Sequence, residues 1–289
     1  MHDLSDLEVD PDQQPPLPLE AATAYARTVM GWARHPLPAG VDCHLDQPYG
    51  QDRLQRFDVY APAGARSAPV LVFWHGGGWT NGYRDYVRFM APHVVKRGFV
   101  LVAPSYRLAP AHRLPAAYDD AQSVLACVLS HCDRWGGDAS RVVLSGHSAG
   151  AHLATLVSLR QADRVAHGMP ADAVRACLPV SGIMDLQHPC PIPGSLEDRV
   201  YTMVLERPAL DAVMSPLCWT SRQSITYALT IGARDSERVV RSNHRLRALL
   251  EAQGTPVQWH ELPDTDHFGS HTRLHDPSDP WYQMLERVL

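Results

Sequence analysis

Short apolar segments alternate with longer amphipathic ones from about residue 55 onward. The later apolar segments are apolar throughout, as expected for strands that are covered on both faces. The predicted strands are 56–60, 69–74, 98–104, 141–145, 174–180, 225–231 and 256–262. The predicted helices are 20–33, 86–97, 116–132, 149–160 and 237–253. This alternation predicts an α/β fold with a mainly parallel central sheet and helices on both faces.

Two stretches depart from the alternation. Residues 1–19 are acidic and proline-rich, which favours an extended arm. Because the alternation begins only at about residue 55, the sequence divides into an N-terminal arm and helix over 1–54 and a main domain over 55–289. Within that domain, 181–224 carries several prolines and only short helical pieces. It follows the carboxyl end of a strand, where open α/β sheets bind ligands. Its position favours a cap over a binding site; the alternative is a plain connecting loop.

Composition and charge exclude several classes of protein. Hydrophobic residues make up 45% of the chain and charged residues 20%, which is enough to fill a sizeable core. The net charge of -5 gives no basic field for nucleic acid or anionic lipid. The apolar runs at 70–74 and 99–104 are far shorter than the roughly 20 residues of a membrane-spanning helix. We expect neither a nucleic-acid nor a membrane partner.

The start of the chain and its cysteines predict a cytoplasmic location. Residues 1–4 lack the basic start of a secretory signal, and no apolar stretch follows them. The six cysteines are widely spread, and a chain of this length needs no disulfides, so we expect them to be reduced. A homodimer is left open.

A candidate nucleophile lies where the predicted strand 141–145 runs into a helix. The sequence Gly-His-Ser-Ala-Gly at 146–150 has the spacing of a sharp strand-to-helix turn, in which glycines allow close backbone approach. Such a turn exposes Ser148 at the edge of the sheet. The N-terminus of the following helix favours negative charge that develops there.

A glycine run supplies candidate backbone donors for an oxyanion. The sequence His-Gly-Gly-Gly-Trp at 75–79 directly follows a predicted strand, and glycines let N–H groups point at one oxygen without obstruction. The predicted donors are the N–H groups of Gly76 and Gly77 together with that of Ala149, the residue after the nucleophile. The alternative is a merely flexible loop. We expect the ring of His75 to be structural, holding this loop by hydrogen bonds to backbone.

A serine nucleophile needs a histidine base, and the histidine needs a carboxylate that holds its tautomer. The chain order in this kind of fold is serine, acid, histidine. Asp235 follows the predicted strand 225–231, and His267 follows the last one. Both therefore belong to the sheet edge that holds Ser148. Asp185, which follows the preceding strand, is the main rival to Asp235.

Histidines at intervals of four residues raise the alternative of a metal site. His267, His271 and His275 would align on one face of a helix. Gly269 and Pro277 weaken such a helix, and no His-Glu-x-x-His pattern lies nearby. We expect no metal and no organic cofactor.

These motifs resemble those of the α/β-hydrolase superfamily, from about residue 55 to the C-terminus. The segment 146–153, Gly-His-Ser-Ala-Gly-Ala-His-Leu, resembles the kynurenine formamidase (arylformamidase) group and related small esterases. The segment 105–117, with the glycine run, resembles hormone-sensitive-lipase-like esterases. Lipase-like members usually carry Asp where His147 stands and Gly where Ala151 stands, which favours the formamidase group. That group often has an aromatic residue where this chain has Gly78.

The resemblance implies a serine hydrolase that cleaves a small carboxylic ester or an N-formyl aryl amide through an acyl-enzyme. The alternative is a general short-chain carboxylesterase. A non-catalytic ligand receptor is less favoured, because nucleophile, base and acid are all present. Trp79, Tyr83 and Trp219 are the candidate substrate-binding residues for an aryl group; the alternative is that each belongs to the ordinary core.

Overall fold

The structure is a computed structural model that describes residues 14–17 and 19–289. The expectations for the start of the chain, namely most of the extended arm and the lack of a secretory signal, lie outside the described residues. The part of the arm over 14–17 forms neither helix nor strand.

The core of the molecule is an eight-stranded sheet with the order β1-β2-β4-β3-β5-β6-β7-β8. Its strands are β1 (Val41–Pro48), β2 (Arg56–Pro62), β3 (Ala68–Trp74), β4 (Val100–Pro104), β5 (Gly137–His147), β6 (Val174–Val180), β7 (Thr226–Gly232) and β8 (Val257–Leu262). Strand β2 is antiparallel to both β1 and β4, and every other neighbouring pair is parallel. The predicted fold class is confirmed.

Nine α-helices are found in the described residues. They are α1 (Glu20–Ala33), α2 (Ala91–Lys96), α3 (Ala116–His131), α4 (Ala149–Leu159), α5 (Gln161–Ala166), α6 (Leu196–Arg199), α7 (Glu237–Ala252), α8 (Gly269–Thr272) and α9 (Pro280–Arg287). Within the described part of the chain, none of the helices has the length and apolar character needed to cross a membrane.

Two apolar cores cover the two faces of the sheet. Along β3, Val70, Val72 and Trp74 belong to one core, whereas Leu71 and Phe73 belong to the other. Successive side chains of a strand point to opposite faces, so the cores lie on opposite sides. The first core packs against α3, α4 and α7, and the second against α1, α2 and α9. Strand β3 is consequently buried along its whole length.

Strand β1 was not predicted, and the sheet begins before residue 55. It pairs with β2 at the edge of the sheet, with all its side chains exposed or only half buried. Its sequence, VDCHLDQP, therefore lacks the apolar run by which the inner strands were recognised. Residues of the predicted N-terminal region thus contribute to the central sheet.

The predicted helix over 86–97 is divided in two. Residues Arg84–Met90 form a 3₁₀ helix, and the α-helix α2 begins only at Ala91. Pro92 lies in the first turn of α2, where proline's missing N–H costs no hydrogen bond. Helix α9 was also not predicted, although Trp281, Tyr282 and Leu285 bury its apolar face.

The interval 181–224 is attached to the body of the domain by hydrogen bonds from two sides. Leu114 N–H donates to the Val204 carbonyl over 2.8 Å, and Glu206 N–H donates to the Leu114 carbonyl over 3.1 Å. On α4, His152 Nε2 donates to the Met214 carbonyl over 2.6 Å. The interval is therefore fixed to the helix that follows the nucleophile turn.

We expect Gly150→Ala to lower the free energy of unfolding by about 2 kcal/mol or more, because overpacking has no room to relax here. A Cβ atom at Gly150 would lie 2.1 Å from the Trp74 carbonyl oxygen. Gly31→Ala in α1 is the matched control, since its Cβ would meet nothing within 4 Å, and alanine should stabilise that helix by about 0.5–1 kcal/mol. Urea denaturation of both variants checks this; equal stabilities would contradict it.

Candidate active site

Ser148 lies at the sharp turn between β5 and α4. Its backbone has φ 55° and ψ -117°, a conformation that costs a non-glycine residue roughly 1–3 kcal/mol. The turn is held by a hydrogen bond from Ser148 N–H to the Val180 carbonyl, 3.0 Å, and by one from His152 N–H to the Ser148 carbonyl, 3.0 Å. Surrounding structure thus fixes the strained turn.

The glycines on either side make this turn fit against β3. A Cβ atom at Gly146 would lie 2.7 Å from the Trp74 carbonyl oxygen, and one at Gly150 would lie 2.1 Å from the same atom. Real Cβ atoms do not approach backbone oxygens so closely. The end of β3 and the nucleophile turn can therefore pack together only with glycine at both positions.

The structure brings Ser148, His267 and Asp235 into one chain of hydrogen bonds. Ser148 Oγ lies 2.8 Å from His267 Nε2, and His267 Nδ1 lies 2.9 Å from Asp235 Oδ1. The Asp235 side chain is fully buried, and its Oδ1 also accepts the Ser236 N–H over 2.8 Å. A carboxylate at Nδ1 holds that proton, which leaves Nε2 free to accept the serine proton.

The rival acid, Asp185, is bound elsewhere. Its Oδ2 lies 2.5 Å from Arg245 Nη1, and its Oδ1 accepts the Gln187 N–H over 3.0 Å. The geometry therefore favours Asp235 as the partner of His267.

The glycine run after β3 lies against the nucleophile turn. A Cβ atom at Gly76 would lie 3.3 Å from the Ser148 Cβ atom. Gly77, Gly78 and Trp79 all have positive φ, at 126°, 62° and 61°. The Gly77 carbonyl accepts N–H groups from Thr80 and Asn81, at 3.1 and 2.9 Å. These bonds close the loop beside Ser148, next to Ala149 at the first turn of α4.

His75 is structural, as expected from the sequence. Its Nδ1 lies 2.7 Å from the Gly76 carbonyl oxygen, and its ring stacks on Tyr106 with centroids 4.4 Å apart. Burial lowers the pKa of His75 to about 4, and the bond to Gly76 opposes this only in part. The ring is neutral at physiological pH and fixes the start of the glycine loop.

Two buried, neutral histidines, His147 and His271, pack next to His267. His147 Nε2 donates to the His267 carbonyl over 2.9 Å, and the His147 ring stacks on His271 at 4.9 Å. Burial, with smaller contributions from His267 and His271, holds the pKa of His147 well below its usual value. Burial also lowers the pKa of His271 to about 3. Its Nδ1 forms a hydrogen bond of 2.8 Å with the Tyr25 hydroxyl.

The metal alternative does not match the geometry. Helix α8 covers only Gly269–Thr272, and the His275 ring stacks on Trp32 with centroids 4.2 Å apart. Among residues 14–17 and 19–289, no group of three or more His, Cys, Asp or Glu side chains is arranged to hold a metal ion. The four-residue spacing of these histidines thus does not place them on one helix face.

A cavity of about 160 Å³ opens at Ser148 and His267, and its wall is mainly apolar. Two chain segments outside the sheet supply much of this wall. The first lies before and within α1, and the second is the interval 181–224, which favours the cap interpretation. Their apolar side chains at the cavity are Leu17, Leu19, Ala22, Tyr25, Ile183, Leu196, Val200 and Val204.

Of the three aromatic residues expected to bind substrate, only Trp79 lines this cavity. Its Nε1 donates to His152 Nδ1 over 3.2 Å. The expectation for Tyr83 and Trp219 is corrected. Tyr83 packs edge-on against Tyr86, with ring centroids 6.1 Å apart. Trp219 lies under the Arg160 guanidinium, with its Nε1 bonded to the Val213 carbonyl. Tyr83 is close in sequence to the glycine loop, and Trp219 lies within the interval 181–224. Neither position brings the ring to the cavity.

Sequence reasoning missed other residues of the cavity wall, notably Arg199, Arg238 and Leu17. Arg238 follows Asp235 by three positions at the start of α7, so its place near the site could have been inferred. Arg199 and Leu17 come from segments without a periodic pattern, and no signal in the sequence locates them.

Comparisons with known proteins agree with this geometry. A family model described as the alpha/beta hydrolase fold matches residues 71–270. Kynurenine formamidase of Danio rerio is 28% identical over 249 residues, which cover 85% of this chain and 81% of that protein. Esterase LipQ of Mycobacterium tuberculosis is 29% identical over 236 residues, covering 77% of this chain and 56% of that protein.

Solved structures show the same fold. The thermophilic carboxylesterase EstE1, cloned from a metagenomic library, superposes with a TM-score of 0.74 at 21% identity, covering 94% of this chain and 95% of that chain. Phosphonate-inhibited esterase B from Lactobacillus rhamnosis superposes with a TM-score of 0.76 at 21% identity. The match covers 93% of this chain and 91% of that chain. The chain belongs to the alpha/beta hydrolase fold family, and it is a hydrolase that resembles both formamidases and esterases.

We expect Gly77→Ala to lower kcat by about 10²-fold, the usual cost of a lost oxyanion donor. A Cβ atom there would lie 1.9 Å from the Asn81 carbonyl oxygen, so the loop beside Ser148 must move. Gly98→Ala is the matched control, because Gly98 also has a positive φ, 80°, but open space around it. Steady-state kinetics of the two variants, corrected for folded fraction, check this. A Gly77→Ala enzyme with the kcat of Gly98→Ala would contradict it.

Proposed function

We propose that this protein hydrolyses a small carboxylic ester or an N-formyl aryl amide through an acyl-enzyme on Ser148. The observation that carries the proposal is the hydrogen-bonded chain from Ser148 through His267 to Asp235, which opens into an apolar cavity. Relatives whose names are kynurenine formamidase and esterase support the same class of reaction.

In the first step, Ser148 Oγ attacks the carbonyl carbon of the substrate while His267 Nε2 takes the serine proton. The 2.8 Å distance between these atoms is suited to direct transfer. Asp235 stabilises the imidazolium that forms, because its buried carboxylate stays at hydrogen-bond distance from Nδ1. The tetrahedral intermediate then carries a negative oxygen.

We assign that oxygen to the N–H groups of Gly76, Gly77 and Ala149. The first two belong to the loop that contacts the nucleophile turn, and the third belongs to the first residue of α4. The positive end of the α4 dipole favours negative charge at the same place. Donors fixed by backbone need no reorganisation as charge develops.

The second half of the reaction uses the same groups. His267 Nε2 gives its proton to the leaving alcohol or aryl amine, and the acyl or formyl group stays on Ser148. Water, deprotonated by His267, then attacks the acyl-enzyme, and the acid is released as Ser148 recovers its proton. These steps balance without a metal or an organic cofactor.

Cavity size and lining favour a substrate with a single ring. The volume of about 160 Å³ is close to the roughly 150 Å³ of an apolar protein cavity that binds benzene. The short-chain carboxylesterase stays as the second candidate, because the loop has Gly78 where the formamidase group often has an aromatic residue. Turnover of formanilide against phenyl acetate separates the two, since a strong preference for the ester would favour the carboxylesterase.

We expect Ser148→Ala to abolish turnover and to leave the free energy of unfolding nearly unchanged. The hydroxyl removed is the reacting group, and its loss opens no core cavity. Labelling with a fluorophosphonate, followed by peptide mapping, should modify Ser148 in the wild type and nothing in the variant. Labelling that persists in Ser148→Ala would point to another nucleophile.

We expect Asp235→Asn to lower kcat by about 10⁴-fold, because the amide favours the wrong tautomer of the histidine. Asp185→Asn is the matched control: Asp185 also follows a strand of the sheet, but it pairs with Arg245. That variant should keep kcat within a few-fold of the wild type. If Asp185→Asn were the more damaging change, the assignment of the acid would be wrong.

We further propose a small-molecule substrate and a cytoplasmic location. All six cysteines, which lie within the described residues, are free, as in proteins of reducing compartments. A homodimer stays a prediction, as does the division of the chain into an N-terminal region and a catalytic domain with a cap.

A further inference from the structure

The backbone carbonyl of His267 accepts two hydrogen bonds from side chains. His147 Nε2 donates to it over 2.9 Å, and Ser270 Oγ donates to it over 2.7 Å. His147 is the last residue of β5, Ser270 lies on α8, and both are buried. A carbonyl oxygen has two lone pairs. The two donors therefore saturate this oxygen and fix the peptide group next to the base.

A further serine directs the hydroxyl of Ser270. Ser181 Oγ donates to Ser270 Oγ over 2.8 Å, which leaves the proton of Ser270 for the His267 carbonyl. Ser181 directly follows β6 and is fully buried, with φ 48°, a left-handed conformation that favours glycine. Its N–H donates to the Thr230 carbonyl of β7 over 2.8 Å. Ser181 thus connects Ser270 to the ends of β6 and β7.

One nitrogen of His147 has no partner. The ring is neutral, because burial holds its pKa well below the usual value. Since Nε2 donates to a carbonyl, Nδ1 is an acceptor, and among the described residues no donor meets this buried atom. A buried acceptor without a partner is costly, so an apolar side chain would pack here at lower cost. What a histidine gains at this position is the Nε2 donor.

His267 needs support because its own side chain is partly open to solvent. The residue follows β8, which lies at the edge of the sheet, and its side chain is 23% exposed, whereas that of Asp235 is fully buried. Its Nε2 must stay within hydrogen-bond distance of Ser148 Oγ to take the proton, and a displacement of about 1 Å can cost roughly 10²-fold in rate. Neutral donors hold the peptide without opposing the positive charge that forms on the imidazole.

We propose that His147 and Ser270 are positioning residues, which hold the backbone of His267 so that its Nε2 stays directed at the nucleophile. Ser181 supports them by directing the Ser270 hydroxyl. The inference rests on the proposed function, in which His267 transfers the proton. Three neighbouring strands then fix the base at their carboxyl ends, because His147 ends β5 while Ser181 and Asp235 follow β6 and β7.

The first test compares Ser270→Ala with the matched control Ser158→Ala. Ser158 is also fully buried, and its hydroxyl also bonds a backbone carbonyl, that of Thr155 at 2.7 Å, and a second hydroxyl, that of Tyr227 at 2.9 Å. The kcat for phenyl acetate is divided by the number of active sites that a fluorophosphonate titrates to completion, so that loss of folded protein does not count.

We expect Ser270→Ala to lower this kcat about tenfold, the equivalent of one ordinary hydrogen bond. KM should stay nearly unchanged, because Ser270 is not among the described residues that line the cavity. Ser158→Ala should keep the wild-type kcat. Equal kcat values for the two variants would overturn the role of Ser270.

The second test separates the donor of His147 from its bulk. Glutamine and methionine have side chains of nearly the same length, but only glutamine keeps an N–H donor. We expect His147→Met to lower kcat about tenfold, and His147→Gln to keep it within a few-fold of the wild type. Equal losses in the two variants would show that His147 acts through packing alone.

Ser181→Ala covers the case in which Ser270→Ala fails to fold, because it leaves both donors to the His267 carbonyl in place. It should lower kcat about threefold at an unchanged KM, and a wild-type kcat would contradict the role of Ser181. If the wild type hydrolyses neither formanilide nor phenyl acetate in a Ser148-dependent way, the proposed function fails. If the wild type is active and none of these variants loses kcat, only the positioning roles fail.

Discussion

The close packing of the nucleophile turn on the last carbonyl groups of β3 is the contact on which the rest of the site depends. It holds Ser148 in a backbone conformation that a serine does not adopt unaided. It also brings the glycine loop, which continues from β3, against the same serine. Because β3 and β5 are neighbouring parallel strands, one sheet register positions both the attacking atom and the loop beside it. Glycine at 146 and 150 is thus the condition for a working geometry.

Much of the fold could be predicted because buried parallel strands are continuous apolar runs. Strands β3, β4 and β6 were found in this way, since their side chains are almost all buried. Strand β1 was missed because it is an edge strand without buried side chains, so it has no continuous apolar run. Only its pairing with β2 shows that it is a strand. Tertiary pairing, which no local pattern encodes, decided that element.

The residues of the site also differ in how far the sequence predicts them. Ser148, Asp235 and His267 were predictable because each directly follows a strand, and parallel strands bring their carboxyl ends to one edge. The wall of the cavity was not predictable, because residues such as Leu17 and Arg199 form it, and they come from segments without regular periodicity. Trp219 shows the limit of guessing a pocket from aromatic residues, since its ring packs under Arg160 instead.

The attachment of the interval 181–224 through His152 has an evolutionary consequence. His152 stands on the helix that follows the nucleophile and binds the Met214 carbonyl, while the side chains of this interval that line the cavity lie before Met214, at 183–204. Residues 183–204 contain no strand of the sheet. Insertions and deletions there change the walls of the cavity without shifting a strand. Descendants of this chain can therefore diverge in what they accept while inheriting the reaction intact.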